Sequence, residues 1–306
     1  KSELNIFSDE YLFTDYEYGV IDADNKKRRK FYEVQDFFKT ISKYDDVLQT
    51  PVESKVAIIY DYDSIASFRI QKQSILLDCH NEMKKLYKPF YDNNVMVDVI
   101  PSDADFSKYS IIILPQMIVG KDEFRAKVKE YVNNGGNAIF TYRNSVKDKN
   151  NNLTLGAVIP VGYDDLTGVY VEETESLQDL NAFPIVGCGE CEGKEGTGGI
   201  FRDMLVTTTA QVMFKYGDKF YNEYASITKN SYGKGKAYYL GCSPDENTLK
   251  EFMESVMKEV GIKTNFIAKG VEVVKRGDKT TFLINHNDYG VNVNDITLEA
   301  FECKII

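Results

Sequence analysis

The sequence predicts an α/β protein with an open, mostly parallel sheet, helices on both faces and a small antiparallel β domain. Three observations lead to this class. Short β-branched apolar runs alternate with amphipathic helical segments between residues 56 and 142. A hairpin pattern and a capped helix follow at 224–261, and short strands and turns continue from Gly270 onward.

The parallel sheet begins at Val56–Asp61, whose uninterrupted apolar run is typical of a strand buried on both faces. We expect one long helix next, ending near Asn93 and Asn94, which tolerate the left-handed cap conformation. Its predicted inward face comprises Ile75, Leu76, Cys79, Met83, Leu86 and Phe90.

Three more strands are predicted, at Val95–Pro101, Ser110–Pro115 and Asn137–Tyr142. A helix at Lys121–Asn134 separates the last two, with inward residues Phe124, Val128, Tyr131 and Val132. This βαββαβ order implies parallel pairing through right-handed crossovers.

The second half of the chain has weaker signals. Residues 143–200 lack a clear period, and Gly187–Gly199 is expected to be a mobile loop. Residues 224–241 predict a hairpin turning at Gly233–Gly235. Ser243–Glu246 reads as a capping box with Ser243 as the N-cap, and the helix that follows ends at Gly261.

A helix is also predicted near the amino terminus, after the basic run Lys26–Lys30. Its apolar residues recur at steps of three and four and form a single stripe: Phe31, Val34, Phe38 and Ile41. The basic run itself is expected to be the solvated end of this helix, and Thr50-Pro51 marks the following boundary.

Composition and charge argue against several classes of partner and of binding site. The net charge of −10 argues against nucleic acid or an anionic membrane as the main partner. The five scattered cysteines, together with the absence of a signal-peptide pattern at the first residues, indicate the cytoplasm. Two histidines exclude a His-rich metal site, and the absence of Trp argues against a complete sugar-binding cleft.

Cysteine and glycine patterns predict no metal and no cofactor. Cys188 and Cys191 form a C-x-x-C pair but lack two further soft ligands at suitable spacing, so ordinary loop cysteines are expected. Cys79 lies on the predicted inward face of a helix and is expected to be a core thiol. The glycines of 187–199 neither follow a predicted strand nor open a helix, so no phosphate site is predicted.

Polar residues follow the predicted parallel strands at the edge where ligands collect in open α/β sheets. They are Asp61, Asp63, Gln116, Arg143 and Asn144. This cluster is expected to be a solvated edge or an interface, with a small-ligand site as the alternative. An amidotransferase reaction is disfavoured, because the turn Gln116–Ile118 after the third strand has no Cys or Ser.

Several segments, in order, resemble the β-galactosidases of glycoside hydrolase family 42. They are Gly19–Gln35 (GVIDADNKKRRKFYEVQ), Val56–Ser64, Val97–Pro115, Glu130–Asp148, Lys215–Gly241, Pro244–Glu246 and Gly270–Arg276. The resemblance implies a retaining hydrolase of terminal β-galactosides with an N-terminal (β/α)₈ barrel. It also implies a glutamine-amidotransferase-like or flavodoxin-like trimerisation domain without the nucleophile, and a C-terminal β domain.

On this resemblance, residues 1–50 are the last βα unit of a TIM barrel, 51–262 the trimerisation domain and 263–306 the β domain. A barrel needs about 200–250 residues, so the catalytic glutamates cannot be mapped onto this chain and no catalytic residue is named. The resemblance implies a homotrimer and places Phe13, Glu17 and Tyr18 at the rim of the galactose pocket. The alternative is a free-standing flavodoxin-like module that binds a small polar ligand near Asp61 and Arg143.

Overall fold

The computed structural model describes residues 19–21, 24–277 and 280–306. These form two compact units. The first comprises the described residues up to Val52, together with 274–283 and 304–306, and the second comprises 53–273 and 284–303.

The first unit contains helices α1 (Arg29–Ser42) and α2 (Asp45–Leu48). The predicted amino-terminal helix is therefore confirmed, but α1 buries none of its residues. Its largest exposed side chains are Tyr32, Phe37 and Phe38, the last of which belongs to the predicted stripe. The Arg276 guanidinium closes the end of α2 by donating to the carbonyl oxygens of Leu48 and Thr50, both at 2.8 Å.

The second unit is built on a sheet of twelve strands, of which five neighbours form a parallel half. These are β1 (Val56–Tyr60), β2 (Val97–Pro101), β3 (Ile111–Leu114), β4 (Asn137–Thr141) and β11 (Gly235–Leu240). Their spatial order is β2-β1-β3-β4-β11, and every adjacent pair is parallel. The predicted βαββαβ arrangement is therefore confirmed in this half.

The long helix predicted after β1 is confirmed in its last part, since α4 ends at Asp92 with Leu86 and Phe90 buried, but the prediction is wrong before Cys79. Two helices are present, α3 (Tyr62–Ile70) and α4 (Cys79–Asp92), so Ile75 and Leu76 lie in the connection between them. The break has a local cause, because the Asp78 carboxylate accepts hydrogen bonds from the amides of His80 and Asn81 and starts a new helix. The predicted helix before β4 is confirmed as α5 (Asp122–Asn133).

The rest of the sheet is antiparallel and was not predicted, since 143–200 was expected to be irregular. Its strands are β5 (Val169–Ser176), β6 (Phe183–Gly187), β7 (Glu195–Gly199), β8 (Phe201–Thr207), β9 (Gln211–Tyr216), β10 (Ala225–Tyr232) and β12 (Ser243–Pro244). A four-residue helix, α6 (Asp164–Thr167), precedes β5. The expected mobile loop at 187–199 is wrong, because its end forms β7, paired to β6 and β12.

Glycine in β7 is explained by close packing. A Cβ placed on Gly196 would lie 2.0 Å from the Thr248 hydroxyl, and one on Gly198 would lie 2.5 Å from the Phe183 ring. Any larger residue would push these neighbours away. The glycine-rich composition, which suggested a loop, is therefore what allows this strand to pack.

The predicted hairpin is confirmed as β10 and β11, with Gly233 at a φ of +57° in the turn. The capping box is displaced by two residues. Ser243 and Pro244 form the short strand β12, and Asp245 is the N-cap of helix α7 (Glu246–Glu259), accepting from the amide of Thr248 at 2.9 Å.

Alternate residues of the central strands face the two sides of the sheet. On one side, Ile58 and Ile113 pack in a cluster with Leu86 and Phe90 of α4 and with Phe252 of α7. On the other side, Ile59, Ile112 and Phe140 pack with residues of α5 and α6. The predicted helices on both faces are therefore confirmed.

Short strands end the chain. β13 (Val271–Arg276), β14 (Thr280–Asn285) and β17 (Cys303–Ile305) form a three-stranded sheet, and β15 (Val291–Val293) pairs antiparallel with β16 (Ile296–Leu298). The predicted small antiparallel region is confirmed. Among the described residues, no helix is long and apolar enough to cross a membrane.

Candidate functional site at the carboxyl edge of the sheet

The order of the parallel strands marks one crevice. From β1 the chain crosses to β2 on one side and then returns to β3 on the other side. In open α/β sheets, ligands bind outside the carboxyl ends of the strands at such a switch point. Asp61 follows β1 directly, and Gln116 lies two residues beyond the end of β3, so both stand at this position.

Asp61 is buried and its carboxylate is used three times. It accepts a hydrogen bond from the amide of Ser64 at 2.9 Å, which caps α3, and one from the Ser102 hydroxyl at 3.1 Å. The Lys121 ammonium is its third partner, at 3.4 Å. Asp61 therefore ties the starts of two helices and the loop after β2.

Asp63 is exposed and shares the same lysine, with 2.6 Å between its carboxylate and the Lys121 ammonium. Burial lowers the pKa of Lys121, but the two aspartates outweigh burial and raise its pKa overall. The structure thus brings Asp61 and Asp63 together around a lysine that the sequence analysis did not single out.

Gln116 and Asn144 meet around Thr141, at the end of β4. The amide of Gln116 donates to the Thr141 hydroxyl at 2.7 Å, and the Asn144 side chain donates to the Thr141 carbonyl at 2.8 Å. Asn144 also donates to the carbonyl of Leu114 at 2.9 Å. Within the described part of the chain, the buried side-chain oxygens of Gln116 and Asn144 accept no hydrogen bond, so these two amides serve mainly as donors.

The turn after β3 is strained at Gln116, which has a φ of +40°. A strained strand-to-helix turn is where enzymes of related architecture expose a nucleophile. Glutamine supplies none, and its side chain is only 2% exposed. The turn therefore has a strained backbone, and its residues Gln116, Met117 and Ile118 include no Cys or Ser.

Arg143 belongs to a second network that is centred on Asp203 of β8. Asp203 is fully buried and accepts from the Arg143 amide at 2.8 Å, the Thr174 hydroxyl at 2.7 Å and the Tyr239 hydroxyl at 3.0 Å. Burial, and then the Asp203 charge, raise the pKa of Tyr239 far above its ordinary value, so this phenol is a donor at any physiological pH.

The Arg143 guanidinium extends this network outward. It donates to the Gln73 side-chain oxygen at 2.9 Å and to the Thr174 hydroxyl at 3.3 Å, and it lies 5.9 Å from the Phe201 ring centroid. Arg143 therefore fixes the α3–α4 connection to β5. The guanidinium thus contacts two other segments of the same chain, at Gln73 and Thr174.

Sequence reasoning missed Asp203 because its strand lies in the region without a clear period. One indication was available: Arg202 and Asp203 interrupt the otherwise apolar residues Phe201–Val206, and an acid inside a buried strand requires several donors. Its partners come from distant strands, so the sequence alone could not have named them.

The cysteines show no reactive environment. Burial raises the pKa of Cys79 to about 11, and burial also raises the pKa of Cys191. Cys188 precedes a single turn of 3₁₀ helix (Gly189–Cys191) that ends at Cys191, and the two thiols are free. Within the described ranges, no three His, Cys, Asp or Glu side chains come close enough together to hold a metal ion.

A cavity of about 830 Å³ lies at the opposite, amino edge of the strands. It is formed by the 103–110 loop, the end of α5, the turn before β11 and the end of α7. None of Asp61, Asp63, Gln116, Arg143 and Asn144 lines it. The predicted rim residues Phe13, Glu17 and Tyr18 lie outside the described residues.

The family model of the β-galactosidase trimerisation domain of glycoside hydrolase family 42 matches residues 54–263. This range contains the whole carboxyl edge described above. The chain belongs to this family.

Curated relatives and solved structures agree with this assignment. The β-galactosidase BgaA of Planococcus sp. is 32% identical over 91% of this chain and 42% of its own length. The β-galactosidase Pbg of Clostridium perfringens is 29% identical over 92% of this chain and 42% of its own length. The crystal structure of β-galactosidase from Bacillus circulans sp. alkalophilus superposes with a TM-score of 0.83 at 28% identity, over 94% of this chain and 46% of that one.

The chain thus spans less than half the length of the family 42 relatives that it matches, and it corresponds to their C-terminal portion. At the switch point of this region Asp61, Gln116 and Asn144 are buried, whereas Asp63 is exposed.

Proposed function

We propose that this chain is the non-catalytic C-terminal part of a family 42 β-galactosidase that hydrolyses terminal β-galactosides with retention. The observation that carries the proposal is the trimerisation-domain match over 54–263 in a chain that spans about 42% of its relatives. In this proposal, residues 1–50 are the last βα unit of the barrel, 51–262 the assembly domain and 263–306 the C-terminal β domain.

The carboxylates at the carboxyl edge support the non-catalytic part of this proposal. Retaining hydrolysis uses two carboxyl groups about 5–5.5 Å apart on either side of the glycosidic bond. Asp61 and Asp203 are buried and already accept three hydrogen bonds or ion pairs each from this chain. Their role is to hold loops in place, and the acid and nucleophile glutamates belong to the barrel.

The proposed role is assembly of a homotrimer whose subunits border each other's active sites. The order β2-β1-β3-β4-β11 and the strained turn at Gln116 support a glutamine-amidotransferase-like ancestry in which the nucleophile is absent. Phe13, Glu17 and Tyr18 remain the proposed contacts to the galactose pocket, and the five free cysteines support a cytoplasmic location.

A free-standing ligand-binding module is not favoured. Such a module needs an open crevice near Asp61 and Arg143, whereas Asp61, Gln116 and Asn144 are at most 5% exposed. Their hydrogen-bonding groups are directed at neighbouring loops and strands, as the contacts of Asp61 and Asn144 show.

Light scattering after size-exclusion chromatography tests the assembly role. The purified 306-residue chain, of 34.9 kDa, is expected to elute with three times its own mass and to dissociate on dilution. A mass of one chain at all concentrations up to about 1 mM would contradict the proposal.

A further inference from the structure

Five large apolar side chains, one at the end of α3 and four on loops, project into solvent near the carboxyl edge. They are Ile70 (78% exposed), Ile75 (63%), Leu155 (89%), Leu180 (90%) and Phe220 (88%), and together we name them the apolar ledge. Single exposed apolar residues are common on protein surfaces, but several on adjoining loops mark an interaction surface.

Hydrogen bonds tie these loops to one another. The Ser67 hydroxyl of α3 donates to the Asn151 side chain at 2.6 Å, which holds the loop of Leu155 beside the helix that ends at Ile70. The buried Lys147 ammonium donates to both Ser67 and Asn151 at 3.1 Å.

The same pattern continues to Leu180. The Ser74 hydroxyl donates to the Leu177 carbonyl at 2.6 Å, and the Gln178 side chain donates to the Gln73 carbonyl at 2.8 Å. The loops that carry Ile75 and Leu180 are therefore fastened together.

Arg202 connects β5 with the loop that contains Phe220. Its buried guanidinium donates to Glu175 of β5 at 2.7 Å and to Asp218, which precedes Phe220 by two residues. The guanidinium also packs over the Tyr221 ring, 4.0 Å from its centroid. The ledge is thus presented by loops that are already ordered, which reduces the entropy lost on docking.

We infer that the apolar ledge is the surface through which this chain binds a second copy of itself, an inference that rests on the proposed assembly function. All five ledge residues lie inside the matched range 54–263. In a closed trimer the contact is head-to-tail, so the ledge of one copy meets a different surface of the next.

The area available agrees with this occupant. A stable interface buries about 800 Å² per partner, of which roughly 57% is non-polar. Five largely exposed side chains of this size supply roughly 300–500 Å² of apolar surface, close to the amount such an interface requires.

Charge also favours a copy of the chain over a strongly charged partner. The segments 69–78, 148–160, 177–182 and 217–224 hold four basic and five acidic residues: Arg69, Lys72, Lys149 and Lys219, against Asp78, Asp148, Asp179, Asp218 and Glu223. A surface of mixed sign gives no preference for a polyanion or a polycation and avoids a single block of like charge between copies.

The test is sedimentation velocity of the 306-residue chain over a concentration series. The ledge variant combines Leu155→Glu, Leu180→Glu and Phe220→Glu. The control variant combines Phe266→Glu, Tyr289→Glu and Phe301→Glu, which are exposed by 55–70% in the same unit but outside the matched range. Circular dichroism and thermal melts verify that both variants are folded.

We expect the midpoint concentration for trimer dissociation to rise at least tenfold in the ledge variant and to stay within twofold of wild type in the control. A folded ledge variant that still forms trimers at wild-type concentrations would overturn the ledge and leave the assembly function standing. Equal dissociation of both variants would also overturn the ledge, while a wild-type chain that is always monomeric would refute both proposals.

Discussion

The two edges of the parallel strands differ in how their polar groups are used. At the carboxyl edge, Asp61, Arg143 and Asp203 are engaged by protein groups from several loops and strands. At the amino edge, an 830 Å³ cavity is lined both by buried, hydrogen-bonded side chains such as Tyr131 and by exposed ones such as Lys127, which makes no direct hydrogen bond or ion pair within the described part of the chain. The carboxyl edge is therefore held together by contacts within the chain, whereas the amino edge also presents exposed polar side chains.

This contrast predicts that substitutions of buried polar residues at the carboxyl edge cost stability, whereas substitutions of exposed residues at the amino edge do not. The largest effect is expected for Asp203→Ala, which leaves the Arg143 amide and the Tyr239 hydroxyl as buried donors without an acceptor. We expect a loss of about 3–5 kcal/mol in the free energy of unfolding, measured by urea denaturation.

Lys127→Ala at the amino edge is the control for Asp203→Ala. It removes an exposed side chain and should change the free energy of unfolding by less than about 0.5 kcal/mol. Comparable losses in the two variants would contradict the assignment of the structural role to the carboxyl edge.

A smaller effect separates the two aspartates that share Lys121. Asp61→Ala removes the N-cap of α3 and the acceptor of Ser102, so we expect a loss of about 1–2 kcal/mol in chemical denaturation. Asp63→Ala removes an exposed ion pair with the same lysine and should cost less than about 0.5 kcal/mol. If Asp63→Ala were the more damaging change, the importance given to burial here would be wrong.

The smallest effect concerns pH. Burial raises the pKa of Asp245, the N-cap of α7, but hydrogen bonds from the amides of Thr197 and Thr248 outweigh burial and hold its pKa below the usual 3.8. A lowered pKa in the folded state stabilises the protein above about pH 4, and this stabilisation is lost as the pH falls below that value.

Asp245→Asn preserves the cap without the titration, so its melting temperature should fall less between pH 5 and pH 3 than that of wild type. Asp105 lines the amino-edge cavity and has a pKa lowered by hydrogen bonds from Ser107, but it is fully exposed. Asp105→Asn should therefore leave the pH profile of the melting temperature nearly unchanged. If both variants weakened the pH dependence of the melting temperature equally, the predicted difference between Asp245 and Asp105 would be wrong.

Local sequence patterns were sufficient to predict the strands of the parallel half of the fold. β1, β3 and β4 are short apolar runs with clear ends, and α5 has a regular apolar stripe. β7 could not be predicted, because its sequence Glu195–Gly199 has no strand preference and becomes a strand only by pairing with β6 and packing against α7. The break between α3 and α4 depended on one N-cap, Asp78, inside a long apolar pattern.

Two helices show how far an apolar stripe predicts the burial of a helix. α1 and α7 both have 14 residues and one apolar face, yet α7 buries six residues and α1 buries none. The sequence identifies the face of each helix, but not whether the chain provides a partner for it.

Part of the candidate site could be predicted from the order of strands and helices. Asp61, Gln116, Arg143 and Asn144 follow strands directly, so topology places them at one edge. Asp203 comes from a strand whose position relative to that edge depends on the completed sheet, which explains why it was missed. Lys121 begins the predicted helix after β3, so the same topology argument would have placed it at this edge.

If this chain has no catalytic carboxyl pair of its own, it should not hydrolyse β-galactosides. Release of nitrophenol from p-nitrophenyl-β-D-galactoside by the purified 306-residue chain tests this directly, with Asp203→Ala as a destabilised control. We expect no turnover above the buffer blank at any chain concentration. Turnover that rises in proportion to chain concentration and is lost on thermal unfolding would contradict the account.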